Sequence, residues 1–500
     1  MVTLSLAPFN FWPLGIVAAL LLALALQKST PQQAAWRGWL FGFALFGSGT
    51  SWVYVSINVY GNAPVPLAIA LTTLFSMGLA LFFLLTCWAY RRFLSDTLFA
   101  NTAGFATFWI LCEWLRSWFL TGFPWLFLGH AHTDSPLTGL APVTGVLGIS
   151  FIIAFTGSLI AQIIVQKSDK HPPVETGISL QNITLICLAL WLISWALQFI
   201  QWTEKNGAPI RIAMVQPATE QELKWNRSYY HKTLNTLIDM SAPLWSTADI
   251  VIWPEAAIPN YLDNAKNFVD EAAEKARLNN TSLITGIPSR SEPDENNPLG
   301  QSFNSVIAIG NGSGIYHKQN LVPFGEYVPL QDWLRGLIEF FDLPMSNFSR
   351  GPANQAPLQI NIDSRDITLS PFLCYEIVYG DLVAKSRADI LLTLSNDTWF
   401  GKSIGPDQHL QIARLRAIEN GRELIRATNS GISVITDAHG NITAQLPQFS
   451  QQTLIGNVQP RTGLTPYAYV GSWPMLLAAT ILIIITRQRK ITPALPTNPQ

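Results

Sequence analysis

Long runs of apolar residues dominate the first 200 positions of the chain and return near its C-terminal end. A helix that crosses about 30 Å of hydrocarbon at about 1.5 Å per residue needs about 20 apolar residues. Runs near or above this length lie at 11–27, 38–57, 66–90, 100–120, 143–166, 181–200 and 471–486. The pattern predicts six N-terminal membrane helices and one C-terminal membrane helix, with a large polar segment between them.

Basic residues in the short loops indicate how these helices are oriented, because Lys and Arg are retained on the cytoplasmic side of a membrane. They occur in alternate loops and in the tail, at Lys28, Arg37, Arg91, Arg92, Lys167, Lys170, Arg487, Arg489 and Lys490. The loops at 58–65 and 121–142 contain no Lys or Arg. This alternation places Met1 and the large polar segment outside the cytoplasm and the C-terminal tail inside.

Between the sixth and seventh apolar runs, short β-rich runs alternate with helical stretches. The predicted strands lie at 210–215, 249–253, 282–286, 305–309, 367–374, 390–394 and 432–436. The predicted helices lie at 228–240, 265–279 and 409–420. Such alternation is typical of a layered α/β fold whose strands are buried beneath helices. We therefore expect membrane helices at 1–203, a soluble domain at 204–465, and a membrane helix with a cytoplasmic tail at 466–500.

Composition agrees with a membrane protein and excludes one class of ligand. Charged residues make up 13% of the chain, where soluble proteins carry about a quarter, and the mean hydropathy is positive. The net charge of −1 and the lack of a Lys/Arg cluster give no basic surface for nucleic acid. The histidines of the polar segment are scattered singly, so we expect neither a metal site nor a cofactor.

Only one of the four cysteines lies outside the apolar runs. Cys87, Cys112 and Cys187 fall inside those runs, where a small apolar thiol is usual and inert. Cys374 is alone in the predicted soluble domain, so it has no partner there for an internal disulfide. Its thiol therefore needs another role.

Three segments of the soluble domain carry reactive side chains beside predicted strands. Glu255 directly follows one strand, Cys374 ends another, and Lys318 lies in a loop punctuated by Pro and Gly. A thiol reacts as its thiolate, so it needs a base or a nearby cation. Glu255 can take the proton, and Lys318 can stabilise the thiolate and the oxyanion on the attacked carbonyl. Each residue alone also fits an ordinary surface or packing role, but the three together favour a nucleophilic site.

These segments together resemble the nitrilase, or carbon–nitrogen hydrolase, superfamily, whose members share an αββα sandwich and a Glu-Lys-Cys triad. With membrane helices on both sides of the domain, the chain more narrowly resembles the apolipoprotein N-acyltransferase family, which completes bacterial lipoprotein maturation. The resemblance covers almost the whole chain. It is carried by residues 122–125 (GFPW), 253–255 (WPE), 317–329 (HKQNLVPFGEYVP), 349–351 (SRG), 374–376 (CYE), 395–401 (SNDTWFG) and 463–467 (GLTPY).

The resemblance implies a fold and a set of site residues. The fold would be a nitrilase-like αββα sandwich domain inserted in a helical transmembrane bundle. Glu255, Lys318 and Cys374 match the catalytic triad position by position. Further positions that the family needs for activity correspond to Trp225, Asn304, Glu326, Tyr375 and Glu376.

Three of the further positions also have other interpretations. Trp225 would serve as well as an anchor on the domain surface, and Asn304, at a predicted strand start, would serve in a turn. Glu376 lies two residues past Cys374, on the same strand face if the strand continues, where its charge would act on the thiol.

The resemblance further implies a reaction, its partners and its location. A membrane phospholipid, phosphatidylethanolamine by the family's preference, would donate its sn-1 chain to Cys374 as a thioester. The chain would then pass to the α-amino group of an S-diacylglyceryl cysteine in an apolipoprotein. The expected location is the bacterial cytoplasmic (inner) membrane, with several spans and a periplasmic catalytic domain. The family usually has eight spans and a cytoplasmic N-terminus, so the seven runs here imply either that the first helix is absent or that the true start lies upstream.

Three other segments carry expectations. Glu113 and Arg116 share a face of the fourth predicted membrane helix, which indicates either a mutually neutralising pair or the lining of a path to the site. The loop 122–125 is expected to touch lipid or the soluble domain. The apolar segment 333–348 is expected to be a lipid-facing lid over the site, with an ordinary buried helix as the alternative.

Two other functions are compatible with parts of the sequence. A membrane-tethered amidohydrolase of the nitrilase type would use the same thioester chemistry and differ only in the second nucleophile. A transporter or receptor with a catalytically dead outer domain would tolerate the loss of Cys374. The intact set of Glu255, Lys318 and Cys374 argues against that second alternative.

Overall fold

The computed structural model describes residues 1–168, 178–293, 300–323, 325–327 and 347–487. The N-terminal part forms a helical bundle, with single π-helical turns at Ser56–Tyr60 and Ala100–Gly104. Its α-helices, in chain order, are α1 (Val2–Ser5), α2 (Pro13–Leu26), α3 (Pro31–Gly49), α4 (Trp52–Val55), α5 (Val65–Phe93), α6 (Phe105–Trp118), α7 (Ala141–Ser168) and α8 (Leu180–Leu197). The outer surface of the bundle is apolar, since Leu74 and Leu192 are 64% and 65% exposed, as expected of side chains that face lipid.

Each of the seven predicted membrane runs falls within helical structure, but the helices differ in length. The helices that are long and apolar enough to cross a membrane are Val65–Phe93, Pro136–Ser168 and Leu180–Leu197. Pro31–Gly49 and Trp52–Tyr60 form a fourth span if this pair, bent by 54°, is counted as one. Pro13–Leu26 and Trp473–Thr486 are shorter apolar helices. Helix length in the described residues thus supports three or four spans, and the count of seven stays a prediction.

The C-terminal part forms an α/β domain followed by the last apolar helix. Its helices are α9 (Gln221–Lys224), α10 (Tyr230–Ser241), α11 (Lys266–Leu278), α12 (Gly380–Val383), α13 (Gly405–Asn420), α14 (Pro466–Val470) and α15 (Trp473–Thr486). Its strands are β1 (Glu204–Lys205), β2 (Ile210–Gln216), β3 (Ile250–Ile252), β4 (Ser282–Arg290), β5 (Ser302–Gly310), β6 (Gly312–Ser313), β7 (Ile315–His317), β8 (Leu358–Ile362), β9 (Arg365–Leu373), β10 (Ile390–Ser395), β11 (Leu424–Thr428), β12 (Val434–Thr436), β13 (Ile442–Gln445), β14 (Gln452–Val458) and β15 (Arg461–Thr462).

The strands form two main sheets that face each other. One sheet has six strands in the order β14-β2-β3-β4-β5-β7, and the other has seven in the order β13-β12-β11-β10-β9-β8-β6. The central pairs, β2-β3-β4 in one sheet and β9-β10-β11 in the other, are parallel. A core of buried aliphatic side chains, including Ile212 and Ile252 from one sheet and Ile367 and Leu392 from the other, fills the space between them.

Helices cover the outer face of each sheet. Leu237 of α10 and Val269 of α11 pack against the six-stranded sheet. Helix α13 lies between the seven-stranded sheet and the bundle, because its Ile412 shares one buried cluster with Leu391 of β10 and Val146 of α7. The layer order confirms the predicted αββα sandwich, and its second helical layer is also the joint with the bundle.

Most predicted elements of this domain correspond to observed ones, with differences at their ends. β4 and β5 are longer than predicted because they pair with each other in antiparallel fashion over nine positions. Helix α13 begins at Gly405, before the predicted start at 409. β9 ends at Leu373, so Cys374 lies outside the strand that was predicted to include it.

The loop 122–125 contacts the α/β domain, one of its two expected surroundings. Trp125 is fully buried, and its Nε1 donates to Gln408 Oε1 of α13 at 2.7 Å. Gly122 has a φ of +86°, and a Cβ there would overlap the carbonyl oxygen of Ser117, so the turn requires glycine. The Gly122 carbonyl accepts from the Tyr375 hydroxyl at 3.2 Å.

A second contact between bundle and domain lies where α7 departs from helical geometry. Gly145 has a φ of +64°, and the ring of Tyr467 fills the space that a Cβ would need. The break frees the Val146 N–H, which donates to Glu419 Oε1 of α13 at 2.9 Å. Helix α13 therefore satisfies a backbone group that the bundle leaves unpaired.

Glu113 and Arg116 are both buried, and each hydrogen bonds to the segment that follows their helix. Glu113 Oε1 accepts from Trp109 Nε1 at 2.9 Å and from the Leu128 N–H at 2.8 Å. Arg116 Nη1 donates to the carbonyl oxygen of Trp125, and within the described residues it forms no ion pair with Glu113. Each side chain binds the segment that leads to the domain, and both expected roles, the neutralising pair and the lining of a path, stay predictions.

The segment expected to form a lid lies mostly outside the described residues. Of the range 333–348, only the last two residues are described, and Phe348 is buried. The tail residues Arg489 and Lys490 and the loop residue Lys170, which contributed to the predicted orientation, also lie outside the described residues.

Candidate active site

Glu255 enters the site from the six-stranded sheet. β3 ends at Ile252, and Glu255 follows it with only 7% of its surface exposed. A Cβ on Gly286 of β4 would overlap the backbone of Glu255, so glycine permits this close approach. Glu255 Oε1 accepts from Asn304 Nδ2 at 2.9 Å, and Oε2 accepts from the Asn396 N–H at 2.9 Å. These two donors fix the orientation of the carboxylate.

Lys318 follows β7 directly, and its ammonium lies between two carboxylates. Nζ is 2.9 Å from Glu326 Oε1 and 3.6 Å from Glu255 Oε1, and the side chain is 1% exposed. Burial alone lowers the pKa of a lysine, but the charges of Glu326 and Glu255 outweigh it and hold the pKa of Lys318 above its ordinary value. Lys318 is therefore cationic throughout the physiological pH range.

Asn304 bridges the same two carboxylates. It is buried in β5, and its Nδ2 donates to Glu255 Oε1 at 2.9 Å and to Glu326 Oε1 at 2.8 Å. Glu326 Oε2 also accepts from the Val322 N–H at 2.8 Å. The turn interpretation of Asn304 is wrong, because the residue lies inside a strand and its amide points into the site.

Cys374 enters the site from the seven-stranded sheet. It begins a short 3-10 helix, Cys374–Val378, with a φ of +51°. A residue with a side chain in this left-handed region costs about 1–3 kcal/mol and needs surrounding contacts to hold it. Burial and the charge of Glu255 raise the pKa of the thiol to about 12, while Lys318 acts in the opposite direction. The sulfur is therefore protonated at neutral pH and would need a base to react as a thiolate.

The turn at Cys374 corrects the expected place of Glu376. The strand does not continue past the nucleophile, so the two residues do not share a strand face. Glu376 Oε2 accepts from the Leu373 N–H at 2.8 Å, and Oε1 accepts from the N–H groups of Gln319 and Asn320 at 2.7 and 3.1 Å. Burial raises the pKa of Glu376 to about 7. Glu376 thus ties the nucleophile turn to the loop that follows β7.

Tyr375 and Trp225 lie at the margins of this arrangement. Tyr375 faces the bundle, where its ring stacks on Trp125 with centroids 6.3 Å apart. Trp225 is partly exposed at the end of α9, and within the described residues no hydrogen bond joins it to the triad candidates. A direct part in the reaction for either residue stays a prediction.

Two residues of the site were not predicted from the sequence. Asn396, whose N–H binds Glu255, stands in the segment 395–401 that carries the family resemblance, which was a usable signal. Lys224 is 3% exposed, and its Nζ donates to the Glu255 carbonyl oxygen at 2.9 Å. Burial lowers the pKa of the Lys224 ammonium to about 8. A lysine in a short polar helix gives no sequence sign that it is buried.

The geometry fits nucleophilic acyl chemistry. The charges of Glu255 and Lys318 both act on the Cys374 thiol, so a proton acceptor and a cation are available to it. Among the described residues, no group of three or more His, Cys, Asp or Glu side chains is placed to hold a metal ion.

Two family models match the sequence. The model described as apolipoprotein N-acyltransferase N-terminal domain matches residues 1–159. The model described as carbon-nitrogen hydrolase matches residues 211–467. The first match covers most of the bundle, and the second covers the α/β domain with all three triad candidates.

Relatives match over nearly the full chain. Proteins named apolipoprotein N-acyltransferase from Pseudomonas putida and Azotobacter vinelandii are each 44% identical over 484 residues, which is 96% of this chain and 93% and 91% of theirs. The protein of that name from Coxiella burnetii is 38% identical over 491 residues, 97% of each chain. A solved CN-hydrolase superfamily protein from Xanthomonas campestris aligns with 50% of this chain and 91% of its own, at 17% identity and a TM-score of 0.37.

Proposed function

The chain belongs to the apolipoprotein N-acyltransferase family, and from that membership we propose how its site forms the N-terminal amide of bacterial lipoproteins. It is a membrane-associated acyltransferase with a domain of the carbon–nitrogen hydrolase type, and its acceptor is a lipoprotein. We assign Cys374 as the nucleophile, Glu255 as the base and Lys318 as the cation that stabilises the oxyanion. The observation that carries this assignment is the 3.6 Å separation of Lys318 Nζ and Glu255 Oε1, two groups whose charges both act on the Cys374 thiol.

The first half-reaction loads Cys374 with an acyl chain. The sulfur attacks the ester carbonyl carbon of a phospholipid while Glu255 takes the thiol proton, and an S–C bond forms. Lys318 stabilises the resulting oxyanion, an interaction usually worth about 2.7–4 kcal/mol per donor. The oxyanion collapses, the ester C–O bond breaks, and Glu255 returns the proton to the departing lysophospholipid. The donor in this proposal is phosphatidylethanolamine, through its sn-1 chain.

The second half-reaction passes the chain to an amine. The α-amino group of an S-diacylglyceryl cysteine attacks the thioester carbonyl, an N–C bond forms, and the S–C bond breaks. Glu255 accepts the amine proton and returns it to the Cys374 sulfur. Because a thioester is more reactive than an amide, this step needs no ATP. The product is the triacylated lipoprotein.

The buried side chains of Asn304, Glu326 and Glu376 keep the triad in position. Asn304 donates to Glu255 and Glu326, which sets the spacing of the two carboxylates around Lys318. Glu376 joins the nucleophile turn to the loop after Lys318 through backbone N–H groups. Preorganisation of this kind lowers the barrier because the charged groups need not move during the reaction.

We place the protein in the bacterial cytoplasmic membrane, with the α/β domain in the periplasm. Arg91 Nε donates to the Ser29 carbonyl oxygen at 3.2 Å, and the Ser95 N–H donates to the Thr486 carbonyl oxygen at 2.9 Å. The basic loops after α2 and α5 and the end of α15 therefore meet at one end of the bundle. The loop of Trp125, at the other end of α6, has no Lys or Arg and contacts the α/β domain. Since basic loops remain cytoplasmic, this arrangement supports a periplasmic domain.

A membrane-tethered amidohydrolase has weaker support. The relatives named apolipoprotein N-acyltransferase match the bundle as well as the domain, whereas an amidohydrolase has no need for a bundle loop packed beside its nucleophile. In this protein Trp125 of that loop stacks on Tyr375, next to Cys374.

Intact-mass measurement after incubation with phospholipid tests the assignment. Purified protein is mixed with vesicles of phosphatidylethanolamine in the absence of an amine acceptor. We expect the wild type to gain the mass of one acyl chain and Cys374→Ala to gain none. No gain on the wild type, or the same gain on both proteins, would show the assignment to be wrong.

A further inference from the structure

We propose that His409 is a positioning residue for this reaction, which holds the peptide unit between Cys374 and Tyr375 in its reactive orientation. The inference rests on the proposed function of Cys374. It starts from one contact: His409 Nε2 lies 3.1 Å from the Cys374 carbonyl oxygen. His409 belongs to α13 and touches neither reacting atom in the proposed mechanism.

The Cys374 carbonyl requires a proton on one nitrogen of His409, and a buried network holds the other nitrogen. Nδ1 is 3.0 Å from Arg426 Nη2 and 3.1 Å from Asp397 Oδ1, and Arg426 and Asp397 form a fully buried ion pair. Burial and the charge of Arg426 lower the pKa of His409, while Asp397 acts in the opposite direction. A carbonyl oxygen can only accept a hydrogen bond, so the 3.1 Å contact with Cys374 requires a proton on Nε2. Nε2–H therefore donates to the Cys374 carbonyl.

Holding this carbonyl also orients the next backbone N–H. In a trans peptide unit, the Cys374 carbonyl and the Tyr375 N–H point in opposite directions, so a donor on one fixes the other. The Tyr375 N–H lies in the first turn of the 3-10 helix, where N–H groups have no intrahelical partner. It is thus a candidate second donor to the oxyanion, beside Lys318.

The strain at Cys374 explains why this peptide unit needs a fixed partner. Cys374 has a φ of +51°, a conformation that persists only where surrounding contacts hold it. Glu376 holds the Leu373 N–H on the near side of the nucleophile. On the far side, His409 supplies the hydrogen bond to the carbonyl. Without it, rotation of the peptide unit would turn the Tyr375 N–H away from the oxyanion.

The ring of His409 also packs on Trp125 of the bundle and Phe400 of the domain. Any test must separate the loss of this packing from the loss of positioning. The rings of Trp125 and His409 have centroids 5.5 Å apart, and those of Phe400 and His409 are 6.0 Å apart. A variant that only loses this packing would loosen the joint between domain and bundle without a specific effect on the oxyanion.

The variants His409→Gln and His409→Asn make that separation. The amide nitrogen of Gln reaches about the position of Nε2, so it keeps a donor for the Cys374 carbonyl. The shorter Asn places its amide near the position of Nδ1 and leaves the carbonyl without a donor. Both variants lose the same imidazole packing, so a difference between them reports on the hydrogen bond.

Two reactions of the same thiol serve as readouts in the full-length protein. Acylation by phosphatidylethanolamine vesicles passes through an oxyanion, whereas alkylation by iodoacetamide displaces iodide from a saturated carbon and forms none. We expect His409→Asn to slow acylation at least about tenfold, because small errors in reactive geometry cost up to about 100-fold. We expect its alkylation to change less than about threefold, and His409→Gln to stay within about threefold of wild type in both reactions.

Each outcome decides for or against the proposal. Equal slowing of acylation and alkylation in His409→Asn, or equal loss of acylation in both variants, would overturn it, since lost packing explains either result. If His409→Asn does not fold, a folded His409→Gln that has lost acylation overturns it as well. Wild-type acylation separates the two levels of inference: if the wild type is not acylated, the proposed function fails, and if wild type and His409→Asn are acylated equally fast, only the role of His409 fails.

Discussion

The two helical layers of the α/β domain differ in what surrounds them. Helix α11, in the solvent-side layer, buries Val269, Ala272 and Ala276 and exposes a charged face. Helix α13, in the bundle-side layer, is buried except at Asp407 and Arg414, although half of its side chains are polar. The solvent-side layer is thus an ordinary globular surface, whereas the bundle-side layer joins the Cys374 turn to the apolar helices of the bundle.

This difference determines where charged groups matter. Lys266 and Asp270 of α11 form a surface ion pair 2.6 Å apart with both side chains well exposed, and such pairs contribute about 0–1 kcal/mol. Asp397 and Arg426, beside α13, form an ion pair with both side chains fully buried. Removing one partner of a buried pair costs about 3–5 kcal/mol, since the other charge is left uncompensated. Single substitutions of charged residues should therefore lower the free energy of unfolding more in the bundle-side layer.

The largest expected effect on the acylation rate concerns Glu255, which the six-stranded sheet on the solvent side contributes to the site. Glu255→Gln keeps the shape of the side chain and an acceptor for Asn304 Nδ2, but it cannot take the thiol proton. We expect Cys374 acylation to slow by about 100-fold to 10,000-fold, the usual contribution of a general base. Stopped incubations with phosphatidylethanolamine, analysed by mass, measure this rate.

Glu274→Gln in α11 is the matched control for that variant. Glu274 pairs with Arg277 on the exposed face, so its acylation rate should equal that of the wild type. Acylation of Glu255→Gln at more than about a tenth of the wild-type rate would remove Glu255 from the role of base.

The pH dependence of Cys374 alkylation should show the burial of the nucleophile. Burial raises the pKa of the thiol to about 12, so the thiolate fraction grows about tenfold per pH unit throughout the range from pH 7 to 10. We expect the iodoacetamide rate to rise in the same proportion, without a plateau. A plateau near pH 7 would instead indicate a thiolate already formed as a pair with Lys318.

The next largest effect is a difference in the free energy of unfolding between charge substitutions in the two layers. Asp397→Asn leaves Arg426 as an uncompensated buried charge, so we expect the free energy of unfolding to fall by about 3–5 kcal/mol. Asp270→Asn removes a surface carboxylate from α11 and should cost less than about 1 kcal/mol. Denaturant unfolding of both variants in the same detergent measures the contrast. Equal losses would mean that the bundle-side layer is no more dependent on its charges than the solvent-side layer.

The smallest expected effect concerns the hydrogen bond between domain and bundle at Tyr375. Tyr375→Phe removes the hydroxyl that donates to the Gly122 carbonyl, which should cost about 0.5–1.5 kcal/mol of stability. Acylation of Cys374 should remain within about threefold of wild type, since Phe keeps the ring that stacks on Trp125 and the hydroxyl binds the loop 122–125. Tyr230→Phe in α10 is the solvent-side control. A loss of acylation beyond about tenfold, with normal stability, would give the hydroxyl a direct part in the chemistry.

The solvent-side layer could be predicted from the sequence, because its pattern is local. Helix α11 spans Lys266–Leu278, close to the predicted 265–279, since its apolar residues recur at helical spacing. The polar residues Gln408 and His409 of α13 instead resemble a solvated face. Their burial depends on Trp125, which lies 283 positions from Gln408 in the sequence. No local pattern contains that information.

The same distinction applies within the site. Glu255, Lys318 and Cys374 could be identified because each lies in a short recognisable segment. The left-handed turn at Cys374 could not, because its contacts with Glu376 and His409 come from the folded structure. Lys224 was missed for a similar reason, since its partner is a backbone carbonyl rather than a charged side chain.

Following the acyl chain from Cys374 to an amine tests the central claim most directly. Protein carrying an isotope-labelled acyl chain is separated from phospholipid and divided between buffer and buffer with an S-diacylglyceryl-cysteine peptide. We expect the label to stay on Cys374 in buffer and to appear as an N-acyl amide when the peptide is added. Release of the label as free fatty acid at the same rate in both samples would contradict acyl transfer and identify a hydrolase.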